Sequence, residues 1–240
     1  GYWFNVNTDS RKAVRFNFGS SGFKNRKGAS DNTSFWFGLT YRPSSRLSVG
    51  LYPNLRFRNT KLQYVDTLES NAAVDDSTRY LFASMKQKTL RLTVRVNYSI
   101  TPEMSIQFYG QPFISSGKYS DFNHITDPRA DGFQDRFYNF AGNQISYDGS
   151  GNMYSVDENM DGMSNFSFDN PNFNFMQFRS NLVLRWEYFP GSTVYLVWSQ
   201  GRTTSGESGN FRFGRDFRDL FKVKPHDVFL IKFTYRFGLR

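Results

Sequence analysis

The feature that most constrains this chain is a strict two-residue alternation held over lengths that ordinary sheets do not use. Leu90, Leu92, Val94, Val96, Tyr98 and Ile100 fall on one face, and Arg91, Thr93, Arg95, Asn97 and Ser99 on the other. A helix would scatter the six apolar residues around its axis, whereas a pleated strand gathers them on one side. The short turn Ile100-Thr101-Pro102-Glu103 leads to a second strand, with Met104, Ile106 and Phe108 opposed to Ser105, Gln107 and Tyr109. Strands of soluble sandwiches usually run about five or six residues. These run to roughly a dozen or more, the length a tilted strand needs to cross a bilayer.

The alternation recurs along the chain. It predicts strands over 3–8, 14–24, 35–42, 46–57 running on through Tyr64, 80–100, 104–118, 175–188, 193–202 and 227–237, nine in all. Pro53 lacks a ladder donor and predicts a bulge in the fourth. Tight turns around Ser10, Ser44, Pro102 and Gly191 alternate with long loops around Lys27 (20–32), Val74 (69–78), Asp148 (118–172) and Glu207. Outer-membrane barrels have this asymmetry, with short periplasmic turns and long extracellular loops, and an even strand number in bacteria. Nine strands that begin and end descending therefore predict the C-terminal part of a larger even-stranded barrel, with an odd number of strands supplied from upstream.

Composition agrees. Mean hydropathy is low, at -0.59, although 19% of residues are aromatic. No window approaches the roughly 20 apolar residues of a membrane helix, so a helical membrane protein is excluded. There is no cysteine, which removes disulfides, thiol catalysis and cysteine-ligated zinc. The net charge of +9 raises nucleic acid as a partner. Against it, Arg15, Arg42, Arg56, Arg91, Arg95, Arg185, Lys232 and Arg236 are spaced singly along polar strand faces, as residues lining a barrel lumen are, so nucleic acid is set aside. An anion-favouring lumen is the functional reading of the same residues.

Three stretches resemble one family: 111–119 (QPFISSGKY), Phe175 with Phe178-Arg179-Ser180-Asn181, and 184–202, from Leu184-Arg185-Trp186-Glu187-Tyr188 to Val197-Trp198-Ser199-Gln200-Gly201-Arg202. It is the group of Gram-negative outer-membrane proteins in which a carbohydrate-binding-family-9-like module precedes a barrel of unknown function. The resemblance covers roughly Leu47 onward and ends in 228–235 (VFLIKFTY). It implies an outer-membrane barrel whose front half and sugar-binding module lie upstream. Phe233, Tyr235 and Phe237 match an ending read by outer-membrane insertion machinery, although Gly238-Leu239-Arg240 follow, and ordinary lipid-facing aromatics are the plainer reading.

Other candidates are weaker. Asp157, Asn159, Asp161 and Gly162 meet the first half of a calcium-loop pattern, but Phe168 stands where its bidentate Glu belongs. Two readings stay open there, a solvated acidic turn and a calcium site. Tyr138, Phe140, Tyr147 and Tyr154 either contact glycans or partners, or pack the 118–172 loop into a core of its own. His124 and His226 lie in different regions, and no phosphate-cradling loop, dinucleotide fingerprint or helical metal motif occurs, so no catalytic residue is assigned. The expectation is an all-β, integral outer-membrane barrel segment over 1–240, non-enzymatic. It acts as an anchor, scaffold or accessory subunit within lipopolysaccharide-bearing lipid, partnered by the rest of its barrel, by other outer-membrane subunits and by glycans. The alternative is a passive pore for small anionic solutes, and the third reading is a surface carbohydrate hydrolase.

Overall fold

A computed structural model describes residues 1–25, 29–68 and 78–238. The main strands are β1 (Tyr2–Asn7), β2 (Val14–Lys24), β3 (Ser30–Tyr41), β4 (Leu47–Leu68), β5 (Arg79–Ser99) and β6 (Met104–Ile125). A segment with four short strands follows: β7 (Phe137–Asn139), β8 (Ile145–Asp148), β9 (Met153–Val156) and β10 (Phe166–Asp169). The chain then resumes with β11 (Phe173–Phe189), β12 (Ser192–Gly206), helix α1 (Phe213–Lys222) and β13 (His226–Thr234). The nine long strands pair in the order β1-β2-β3-β4-β5-β6-β11-β12-β13, every neighbour antiparallel. β7 adds to β6, and β10-β9-β8 form a separate small sheet. The long path has two ends, β1 and β13, and does not close on itself.

The tight turns stand where the sequence puts them. Pro190-Gly191 joins β11 to β12, with Gly191 at φ 81, a left-handed position that suits glycine. Four expectations need correction. Pro53 makes no bulge: Pro53 stays in register opposite Leu92, and the register shifts of β4 come later, between Thr60 and Gln63 and between Tyr64 and Asp66. The Ser20–Asn32 loop shrinks, because β2 reaches Lys24 and β3 begins at Ser30; 26–28 lie outside the described residues, as do 69–77 of the acidic loop. β6 runs to Ile125, so the large loop begins seven residues later than expected and carries strands of its own. Finally, β13 stops at Thr234, leaving Tyr235 and Phe237 beyond the strand.

Alternation gives the sheet two unlike faces. Cross-strand partners share a face, and one row reads Val14, Tyr41, Val49, Val96, Phe108, Leu182, Trp198, Phe229. Among the described residues no second layer covers this face except α1: Phe16, Tyr98, Trp186, Leu196, Phe229 and Ile231 are all exposed, the last two to 75%. Buried clusters occur at two other places. One joins the outer ends of β4–β6 to the β7–β10 segment, through Leu68, Leu81, Phe122, Phe140, Val156, Phe166 and Phe168. The second lies under α1, where Leu220 meets Ile114 and Met176. Among the described residues no helix is long and apolar enough to cross a membrane.

Candidate functional site: the basic face of the sheet

The opposite face is polar and concave. Its rows place large residues against small ones: Arg95 faces Gly50, Gly50 faces Thr40, and Thr40 faces Arg15, while Trp36 lies across Gly19. Trp36 is fixed there by its Nε1–H, which donates to Asn5 Oδ1 at 3.0 Å. Two cavities result. One of about 520 Å³ is lined by Arg15, Arg42 and Arg95 with Asn17, Tyr52 and Asn97. The next, about 500 Å³, is lined by Arg56, Arg58 and Arg91 with Trp36, Gln87 and Ser115. Neither has a carboxylate in its wall. Arg42 Nε donates to Ser48 Oγ at 3.3 Å, Arg95 lies 5.3 Å from the Tyr109 ring centre, and Arg15 Nε is buried without a protein acceptor.

Six guanidiniums on one wall create a positive field, and among the described residues no carboxylate lines either cavity to neutralise it. Arginine stays protonated, so the arrangement attracts anions and offers no proton to transfer. Five of the eight basic residues singled out from the sequence line these cavities. Arg58 joins them and was overlooked, although it shares the parity of Arg56 in β4. Of the other three, Arg185 and Lys232 lie on the same polar face outside the two cavities, and Arg236 lies beyond the sheet. Arg185 Nη2 pairs with Glu187 Oε2 at 2.7 Å, and Lys232 Nζ sits 6.0 Å from the Tyr195 ring centre. Arg236 lies past the end of β13, its backbone N–H donating to Ser192 Oγ at 3.0 Å and its side chain against Gly191.

At the outer end of the sheet the β7–β10 segment brings together residues that the sequence separates. His124, near the end of β6, has Nδ1 3.3 Å from Glu158 Oε1. Arg79 Nη2 donates to Glu158 Oε2, also at 3.3 Å. Burial holds the His124 pKa below its ordinary value, opposed by Glu158 and assisted by Arg79. Of the aromatic contact candidates, Phe140 belongs to the buried cluster, Tyr154 is half-buried and stacks on Phe168, and Tyr138 and Tyr147 remain exposed. Asp157, Asn159 and Asp161 lie in the turn between β9 and β10. Asp157 Oδ1 and Oδ2 accept the backbone N–H groups of Asp161 and Gly162, and Asp161 Oδ1 accepts that of Met163. Met160 and Gly162 take positive φ there, at 59° and 90°. Among the described residues no group of three or more His, Asp or Glu side chains is arranged to hold a metal. Phe233 stacks on Tyr188 at 5.5 Å, and Tyr235 packs edge-on against Phe237 at 4.8 Å.

A family model described as a domain of unknown function, DUF5916, matches residues 1–238, and the chain belongs to that family. Neither the curated proteins nor the solved structures contain a match to the chain.

Proposed function

For this member of the family, we propose that the sheet is the C-terminal part of a transmembrane barrel in a Gram-negative outer membrane, anchoring the β7–β10 segment at the cell surface. The carrying observation is inverted polarity: the apolar face is uncovered and the concave face is basic. Exposed apolar area on this scale calls for lipid or a large partner. From Leu90, beside the seat of α1, to Ile100 the apolar row extends about 33 Å along the strand at ~3.3 Å per residue, or about 25 Å in height at a tilt of ~40°, matching the apolar band of such barrels. The open edges at β1 and β13 need partners in lipid, so further strands complete the wall. A glycan-binding module upstream and docking to other outer-membrane subunits are part of the same proposal.

Intact mass and peptide mapping of the purified membrane particle that contains this chain test it. A longer covalent polypeptide, or a co-purifying chain that supplies an odd number of strands, is the expected result. A lone 28.0 kDa polypeptide released by alkaline carbonate would sink it. The six carboxylate-free arginines favour a second reading, a lumen that passes small anions. Planar-bilayer recording then shows steady conductance with anion preference, reduced in Arg56→Gln/Arg58→Gln/Arg91→Gln; a silent bilayer leaves the anchor alone.

A further inference from the structure

Above the apolar band, on the outward face, lies a third basic cavity, which does not open on the concave face. It measures about 330 Å³ and is lined by Lys86, Lys88, Ser116, Lys118 and the segment Gly209–Arg212, with no carboxylate. Lys88 stands two residues beyond Leu90 on β5, and Lys118 two residues beyond Ser116 on β6, so both carry on the outward rows. Lys86 and Lys118 are direct cross-strand partners, a like-charge pairing that is unfavourable unless something negative sits between them. None of Lys86, Lys88, Lys118 or Arg212 forms an ion pair among the described residues. Asp216 accepts the Arg212 backbone N–H at 2.8 Å but is buried on α1 and paired there with Arg215, and Asp31 and Asp121 line a separate cavity on the other side of Lys86.

The fourth wall is held in place. Asn174, buried on β11, donates through Nδ2 to Asn210 O at 2.9 Å and accepts from Ser208 Oγ at 2.8 Å. Gly209, at φ 63, packs so closely on β6 that a Cβ there would come within 2.8 Å of Gly117 O. Beyond Arg212 begins α1. Its Phe213 and Phe221 are exposed next to the uncovered face, while Leu220 is buried against it. Three lysines and an arginine thus form a fixed cup directly above an apolar surface, at the height where outer-leaflet headgroups lie.

We infer that this cup binds the phosphate groups of an outer-leaflet glycolipid, whose acyl chains lie on the apolar face beside α1. The inference rests on the membrane reading above and adds a specific lipid contact to it. Phosphate accepts charge-assisted hydrogen bonds from several cations at once, and anionic headgroups draw basic residues placed at the interface. The test is native mass spectrometry of the detergent-purified, membrane-extracted protein. It is titrated with bis-phosphorylated lipid A, with the same lipid dephosphorylated, and with inorganic phosphate as competitor. Wild type retains the phosphorylated lipid preferentially, and Lys86→Gln/Lys88→Gln/Lys118→Gln binds it about tenfold or more weakly. Arg212→Gln, on a different segment, weakens it in the same direction. Equal retention of both lipids, unchanged binding by the triple variant, or displacement by inorganic phosphate alone overturns the inference, the last assigning the cup to a soluble anion. Release of wild type by alkaline carbonate before any lipid is added sinks the membrane reading as well. Carbonate-resistant protein that is indifferent to phosphate sinks this inference alone.

Discussion

His124 shows how much one residue depends on neighbours far away in the chain. Its ring lies against Tyr138 and Phe140, and its Nδ1 faces Glu158, 34 residues on. It stands one residue from the end of β6, beyond the apolar rows of the sheet. Because burial depresses its pKa below the ordinary 6.5, the unfolded segment takes up more protons than the folded one between the folded value and 6.5. The stability it contributes is complete above about pH 6.5 and is lost as the pH falls through that window. Hydrogen-exchange protection of β7–β10 is expected to drop as the pH goes from about 7 toward 5.5, and to drop less in His124→Gln. An equal drop in both proteins would discard the histidine as the cause. The calcium proposal is tested nearby: millimolar calcium slows proteolysis of the β9–β10 turn in wild type and not in Asp161→Ala, and no protection in wild type ends it. Sequence parity placed Arg56, Arg91 and Arg95 correctly on one wall, because alternation is local. The His124–Glu158–Arg79 cluster was invisible because nothing local links its members.

Among the elements, α1 is the one that alternation hid. Phe213, Phe217, Leu220 and Phe221 follow helical spacing, a signal present in the sequence but masked by the expectation of a loop. Both ends are held by side chains. Asp216, buried, accepts the Arg212 N–H at 2.8 Å and the Arg215 guanidinium at 2.7 Å, and Arg202 Nη1 donates to the carbonyls of Phe221 and Val223 at 2.7 and 2.9 Å. Leu220→Ala is expected to weaken its seat on Ile114 and Met176 by about 2–5 kcal/mol. Exchange should then accelerate in 213–222 while β6 and β11 keep their protection; a simultaneous loss in all three would show that the helix is not an independent cover. Within β5 the two faces predict opposite outcomes. Val94→Arg, outward at mid-band, costs about 2–4 kcal/mol in a bilayer and should lower the membrane-inserted fraction. Thr93→Arg, one residue earlier on the concave face, should not. Equal behaviour of the pair would remove the assignment of faces.

For the whole molecule, strand number and the placing of tight turns were legible in the sequence, because each depends on period two and on local turn chemistry. The length of β5 was legible too, but the full lengths of β4 and β6 were not, since their far ends pack with the β7–β10 segment and are not marked by their own alternation. β1 and β13 point the same way, so joining them directly would make a parallel seam, whereas an odd number of added strands restores antiparallel pairing throughout. The wall they frame is uneven. β4, β5 and β6 have 22, 21 and 22 residues against 17, 15 and 9 in β11, β12 and β13. That unevenness has a mechanical meaning. A pull on the outer segment enters the sheet lengthwise along its three tallest strands, and loads their many ladder bonds together in shear instead of peeling them one at a time. The tall panel therefore suits the molecule to carrying tension from the β7–β10 segment into the sheet.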